Sequence, residues 1–336
     1  MSARREPPGD APAIAVIGEA LIDLIVGPDG DVAPRLGGGP LNTARTLARL
    51  GVPPVFCGRL SGDGFGRMLR AGLRADGVSC GIPSPSGLPT TLTVADVGAD
   101  GGARYGFYLS GTAAADVDYQ TLADAVQAGS PRGLSAVHAG TLGLVIEPIA
   151  SSVERLVAEA LPPETLLMID PNCRPGAIAD RDAYLGRLGR LMSRADIVKA
   201  SAEDLAYLSP GVPTAKAATA LLEQGAALVL VTDGPRPAKA YPRAVTRAVT
   251  RPGAGSPEET GIRVAVPPVE VVDTIGAGDA FGGAFLADWT AAGRTRAHLG
   301  EADAIRKSLA FAVEVAALTC MRVGAEPPRL AELRRG

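Results

Sequence analysis

Apolar residues along this chain fall into short runs and longer stretches that take turns. Ala13 to Gly18, the segment around Val55, Ala136 to Ala139, Leu166 to Asp170 and Ala227 to Thr232 are brief apolar runs flanked by turn residues, and they read as strands. Between them lie Leu41 to Leu50, Phe65 to Ala75, Glu147 to Ala160, Asp182 to Ser193 and a stretch ending near Gly225, which read as helices. The alternation predicts an α/β fold with a mostly parallel central sheet flanked by helices.

Two segments break the pattern. Leu21 to Leu36 and Thr90 to Leu109 are strand-like without an intervening helix, and in the second TLTVADV and ARYGFYL flank Gly98-Ala99-Asp100-Gly101-Gly102. That arrangement predicts a hairpin in a small separate sheet, the alternative being an edge hairpin of the main sheet. Residues 1–12 read as a disordered tail. Arg243 to Gly261, with a short AVTR duplication in a Pro/Gly-rich stretch, reads as a surface loop.

Length and composition narrow the function. With 336 residues the chain accommodates one large α/β domain with a small appendage, or two modest domains. No apolar run approaches the ~20 residues of a membrane span, and MSARREPPGDAP offers no signal peptide, so the expected location is the cytoplasm. A net charge of −3 with dispersed signs argues against nucleic acid as a partner. Cys57, Cys80, Cys173 and Cys320 form no C-x-x-C pair, so they read as reduced thiols and not as a zinc site. His138 and His298 lie in no spacing that suggests a metal site or a nucleophile–base pair. Gly18-Glu19-Ala20-Leu21-Ile22 lacks G-x-G-x-x-G, so a dinucleotide-binding dehydrogenase is poorly supported.

The strongest chemical signal is Val271-Val272-Asp273-Thr274-Ile275-Gly276-Ala277-Gly278-Asp279-Ala280-Phe281. Gly276, Ala277 and Gly278 let the backbone turn tightly and aim successive N–H groups at one spot, reinforced by the positive end of the following helix. That spot suits a phosphoryl group, and Asp279 beside it is placed to accept a proton from an attacking hydroxyl. The bland reading is an aspartate that complements the helix dipole. A second glycine-rich opening, Gly37-Gly38-Gly39-Pro40-Leu41-Asn42, shifts the balance toward chemistry, with Pro40 where a first helical turn tolerates it.

Together with Gly18-Glu19-Ala20-Leu21-Ile22-Asp23 and Asp170-Pro171-Asn172-Cys173-Arg174-Pro175, these motifs resemble the ribokinase-like (PfkB) carbohydrate kinases, and among them the fructokinase-like members. The likeness spans roughly residues 13 to 330. DTIGAGDAF is its most specific element, and GRLSGDGFGRMLRAGLRADGV from Gly58, VKASAEDL from Val198, LVLVTDG from Leu228 and AALTCMRVGAEPP from Ala316 agree in order.

The resemblance implies a three-layer ribokinase-like fold in a single domain over 13–336, with lid segments at about 21–36 and 90–110 that close over the sugar and form a homodimer contact. It implies an ATP-dependent kinase using Mg²⁺ and K⁺, with fructose or a similar keto-sugar as acceptor. 2-Keto-3-deoxygluconate, ribose and a nucleoside stay open, and the rival class is a sensor that has lost turnover. In the implied site Asp279 is the base and Gly276, Ala277 and Gly278 form the anion hole. Asp23, Gly38, Gly39 and Asn42 hold the sugar, and Arg174 reaches the sugar or a phosphate, unless it makes a structural ion pair.

Ser201, Asp204, Thr232 and Gly234 take nucleotide-binding positions. Asp273, the carbonyl of Ile275 and backbone near Thr319 and Gly324 form a monovalent-cation loop. Three positions depart from the family's common pattern: Ser201 stands for Asn, Asp204 for Glu, and Pro237 for a second glycine. Glu203 is an alternative carboxylate, and either acid also suits a helix start beside Ser201.

Overall fold

The computed structural model describes residues 12–97, 103–129, 133–244 and 261–333. The expected tail lies outside these residues but for Pro12, as do the glycine turn at 98–102 and most of the 243–261 loop.

A nine-stranded sheet forms the middle layer. Its strands are β1 (Ala13–Ile17), β4 (Pro54–Cys57), β5 (Ser79–Cys80), β8 (Leu134–Gly140), β9 (Leu166–Asp170), β10 (Ile197–Ser201), β11 (Leu228–Asp233), β12 (Arg236–Pro242) and β13 (Ile262–Val264). The order is β13-β12-β11-β10-β9-β8-β1-β4-β5, parallel from β5 through β11. β12 and β13 extend it antiparallel, so the sheet ends on a hairpin. Pro237 enters β12 beside the register irregularity opposite Val231 to Asp233 and before the residues that pair with β13. A residue without an N–H is tolerated there.

Burial on both faces explains why these strands read as continuous apolar runs rather than alternating ones. Neighbours in one strand belong to different cores: Ala15 and Ile17 join the cluster under α3 (Tyr119–Ala128), α4 (Ile149–Glu159), α5 (Arg181–Arg194) and α7 (Thr214–Gln224). Ile14 and Val16 join the cluster under α1 (Gly39–Arg49), α2 (Gly64–Asp76), α8 (Ala277–Ala291) and α9 (Ala302–Cys320). Phe285 and Trp289, stacked at 5.5 Å on α8, anchor that second core. Other helices among the described residues include α6 (Ala202–Leu208) and the short α10 (Leu330–Leu333). Among the described residues no helix is long and apolar enough to cross a membrane.

The two segments that broke the alternation form a four-stranded sheet of their own, in the order β3-β2-β6-β7, from β2 (Leu21–Val26), β3 (Val32–Gly37), β6 (Leu92–Val97) and β7 (Ala103–Tyr108). β2 and β6 run parallel at its centre, with Asp23 opposite Thr93. The edge-hairpin alternative is thereby set aside.

Candidate active site

Asp279 lies in the first turn of α8, 8% exposed. Gly276 caps that helix with φ of 75°, a left-handed conformation that glycine adopts without strain. A Cβ at Gly276 would come within 2.4 Å of the Ala325 Cβ, so both the backbone and the space demand glycine. No side chain caps the helix, and the first-turn amides of Gly278 and Asp279 have no intrahelical acceptor by position. The Ala277 amide differs, since it donates to the Thr274 carbonyl at 3.3 Å. The anion turn therefore offers the amides after Ala277 more freely than that of Ala277 itself.

Two segments far apart in sequence hold the Asp279 carboxylate, and a third supports one of them. Asn42 Nδ2, from α1, donates to Oδ2 at 2.9 Å across 237 residues, and Asn172 Nδ2 donates to Oδ1 at 3.4 Å. Asn172 also donates to Thr141 Oγ1 at 3.1 Å. Both Thr141 (φ 53°) and Asn172 (φ 37°) hold left-handed backbone, which a β-branched threonine rarely adopts. Gly39 completes the cluster. A Cβ on it would lie 2.3 Å from Thr141 Oγ1, 3.1 Å from Asp279 Oδ1 and 3.2 Å from Asn172 Nδ2, so a glycine is what lets the α1 backbone approach. Asn42 Oδ1 is buried without a hydrogen-bond partner, an acceptor left over in this cluster.

Asp23 enters from β2. Burial pushes its carboxyl up to about 6, opposed by Arg174 and a hydrogen bond from Thr93 and assisted by the charge of Asp279. Asp23 thus feels the charges of Arg174 and Asp279 and takes a hydrogen bond from Thr93. Arg174 Nη1 donates to the carbonyls of Asn172 at 3.2 Å and Cys173 at 3.1 Å, so its guanidinium is folded onto its own loop. Gly38 (φ 105°) turns the chain into α1, with the Glu19 carbonyl 2.7 Å from where its Cβ would be.

Sequence reasoning assigned no role to Glu19, Thr141, Asn172, Asp170 or Lys199. Glu19 is fully buried and accepts from the amides of Gly39 at 3.1 Å and Gly143 at 3.0 Å, fastening the glycine opening of α1 to the loop after β8. Burial drives its carboxyl up to about 8 against those amides. Lys199 Nζ pairs with Asp170 Oδ2 at 2.9 Å in the buried layer, and a Cβ at Gly278 would lie 3.0 Å from that ammonium. Burial opposes its charge, and Asp170, Asp204 and Asp279 outweigh burial and raise its pKa above the ordinary lysine value. A fixed cation thus underlies the anion turn. Glu19, Asn172, Asp170 and Lys199 all stand inside quoted motifs; Thr141 carried no local signal.

The nucleotide positions separate into two kinds. Ser201 and Asp204 form a capping box at α6, with the Asp204 amide donating to Ser201 Oγ at 2.9 Å and Asp204 Oδ2 accepting from the Ser201 amide at 2.7 Å. Asp204 Oδ1 accepts from the Cys173 amide at 2.7 Å, so both oxygens of this buried carboxylate serve backbone donors. That is the geometry of the helix-start reading, at a position the resemblance assigns to the nucleotide. Thr232 faces Ser201 in register across β10 and β11, and Gly234 (φ 54°) follows at the turn. Both stand at the carboxyl ends of parallel strands, where open α/β sheets bind ligands. Among the described residues neither is hydrogen-bonded to the Asp279 cluster.

The cation-loop segments do meet. Asp273 Oδ1 accepts from the Ile275 amide at 2.9 Å and Oδ2 from the Gly324 amide at 2.8 Å, while the amides of Val272 and Asp273 both donate to the Cys320 carbonyl. The Thr319 carbonyl accepts from the Arg322 amide at 3.1 Å, and its hydroxyl donates to the Val315 carbonyl at 2.8 Å. Arg45 of α1, 4% exposed, locks this segment in place by donating to the Ala325 carbonyl at 2.9 Å while pairing with Asp76 and Glu326 at 2.7 Å each.

The profile described as "pfkB family carbohydrate kinase" matches residues 11–331. The chain belongs to the pfkB family of carbohydrate kinases. Within what is known around this pfkB kinase, it is 33% identical over 279 residues to a fructokinase of Rhizobium leguminosarum bv. trifolii, covering 82% of this chain and 78% of that protein. It is 31% identical over 326 residues to fructokinase-1 of Zea mays, covering 94% and 93% respectively. Among solved structures, the fructokinase from Xylella fastidiosa with bound ATP superposes with a TM-score of 0.81 at 28% identity, over 96% of this chain and 97% of that one. The ribokinase-like fold and the carbohydrate-kinase activity expected from the motifs are thereby shown.

Proposed function

We propose that this carbohydrate kinase transfers the γ-phosphoryl group of ATP to a hydroxyl of fructose or a similar keto-sugar. The observation that carries the reading is the placement of the Asp279 carboxylate, held by Asn42 and Asn172 beside the open first-turn amides of α8. In the step, the sugar oxygen forms a bond to the γ-phosphorus, its proton passes to Asp279, and the bond from that phosphorus to the β-bridging oxygen breaks, its electrons leaving with ADP. The Gly278 and Asp279 amides and the Lys199 charge beneath them stabilise the anionic phosphoryl group. Asp23 and Asn42 Oδ1 accept from the remaining sugar hydroxyls, and a site of buried acceptors rejects analogues lacking those hydroxyls. The named relatives, fructokinases of 33% and 31% identity, favour fructose over the other sugars.

The four-stranded sheet acts in this reading as a lid, because its β2 carries Asp23 and its β6 carries Thr93 into the site. Its exposed outer residues, Tyr105 and Tyr108 among them, are the surface through which a homodimer would form. Thr232 and Gly234 line the nucleotide side. In this reading Mg²⁺ enters on the nucleotide phosphates, as such ions commonly do with few protein ligands. Bound there it neutralises phosphate charge. The Asp273–Ile275 and Thr319–Gly324 segments supply an oxygen-rich loop suited to K⁺ next to the anion turn.

The experiment is ADP release across a panel of fructose, 2-keto-3-deoxygluconate, ribose and nucleosides, with and without potassium. Fructose should give the highest kcat/KM. A preference for another sugar by tenfold would replace the substrate, and no turnover with any of them would replace the reading with a sensor.

A further inference from the structure

A concavity between α2 and the segment after β5 shares no lining residue with the Asp279 cluster. It encloses about 550 Å³, within the range of small-molecule sites. Arg67, Arg70 and Arg74 line it from one stripe of α2, while Val78, Cys80 and Pro85 supply apolar wall.

These arginines are placed at a cost. The pairs 67/70 and 70/74 have i,i+3 and i,i+4 spacing, where like charges destabilise a helix. Among the described residues none of the three has a carboxylate within ion-pairing distance, although the nearby Arg45 and Arg49 are both paired. Arg67 spends one donor on the Gly62 carbonyl at 2.9 Å. Arg70 Nη2 is buried without a hydrogen-bond partner. A buried guanidinium nitrogen with nothing to donate to loses free energy that an anion in the pocket would restore. Cys80 registers the same field: burial raises its thiol pKa, and Arg70 and Arg74 work against that rise.

We propose that this pocket is a second ligand site, for a small phosphate ester. Guanidinium forks match phosphate oxygens bidentately, and the Val78 and proline wall takes a carbon skeleton that free phosphate lacks. The pocket floor is tied to the small sheet, because the Asp63 amide donates to Ser61 Oγ at 3.1 Å while the Asp63 carboxylate accepts from the Thr90 amide at 2.8 Å and hydroxyl at 2.6 Å. The residues that line it at Ser61 and Gly62 are thereby connected through Asp63 to the segment that leads into β6.

The test is calorimetric titration of the full chain with phenyl phosphate and with inorganic phosphate, in wild type, Arg70→Gln/Arg74→Gln and Asp279→Asn. The expected result is a phenyl phosphate binding component in wild type and in Asp279→Asn that is weakened at least tenfold in the double variant. That component is independent of any kinase turnover. Alkylation of Cys80, followed by peptide mass spectrometry with Cys320 as internal reference, should slow in phenyl phosphate for wild type and stay unchanged for the double variant. Equal binding of inorganic phosphate would reassign the ligand to free phosphate and overturn the ester. Identical titrations for wild type and the double variant, or no binding by either, would overturn the site. Glutamine keeps helix propensity, and loss of like-charge repulsion should leave the unliganded double variant melting no lower than wild type.

Discussion

The two sheets of this molecule differ in what covers them. In the nine-stranded sheet, β9 is buried along its whole length and Ile14 and Ile17 are 0% exposed, because helices close both faces. In the four-stranded sheet β3 is mostly exposed or half-buried, and Val32, Tyr105 and Tyr108 are 56%, 60% and 61% exposed. In the proposed reaction the two would play different parts: the rigid sheet and the helices packed on it hold Asp279, Asn42 and Lys199 to fixed distances, while the sheet with the more exposed outer residues carries Asp23 and Thr93.

Substitutions can break that division. The largest effect is expected for Asp279→Asn, on the rigid side: kcat should fall by ~10²–10⁴-fold with an unchanged melt, since the amide keeps the shape and cannot take the proton. Near-wild-type turnover by a folded variant would end the assignment. Trp289→Ala, in the core beneath the same helix, should cost ~3–5 kcal/mol in denaturant unfolding; a loss below 1 kcal/mol would mean that the core is far more adaptable than its close packing implies.

On the other sheet the effects should be chemical and pH-dependent. Asp23 must be ionised to accept from sugar hydroxyls, and burial raises it to about 6. The KM for sugar should therefore rise about tenfold per pH unit below that value, and Asp23→Asn should remove the dependence while leaving sugar binding weak at every pH. The stability linkage has the opposite direction. With the folded pKa above the ordinary 3.8, the native state holds the proton longer than the unfolded chain, so this group's contribution to stability is greatest at low pH and declines as pH rises from about 4 to about 6. Glu19, raised to about 8, adds a decline of its own over the same range, so melts of Asp23→Asn should show a shallower decline than wild type; an identical decline in both proteins would assign it wholly to other carboxyls. The smallest change belongs to Tyr105→Ala, within about 0.5 kcal/mol for an isolated chain. A drop beyond 1 kcal/mol that grows with protein concentration would instead reveal the dimer contact.

What the sequence made legible was local. The turn at Gly276 to Asp279 is written in consecutive residues, and so is the opening at Gly38 to Asn42. The missing helices in 21–36 and 90–109 marked the second sheet without showing that β2 and β6 pair in parallel. Non-local partners were not readable. The Lys199–Asp170 pair depends on β9 and β10 being adjacent, and the left-handed Thr141 has none of the glycine or asparagine chemistry that announces such a backbone. Asp204 was ambiguous for the reverse reason: an acid that starts a helix and one that serves a nucleotide look alike in sequence, and only the structure shows its two oxygens on backbone amides.

The clamp around Ala325 sets an order on biosynthesis. Gly276 packs against Ala325, Asp273 grips the amide of Gly324, and Arg45 holds the Ala325 carbonyl. A nascent chain that has already exposed α1, the sheet and Asp279 still lacks the three residues 324–326 that brace the phosphate turn. Translation intermediates should thus be able to collapse around part of their core before residues 324–326 emerge and the turn at Gly276 to Asp279 gains its brace.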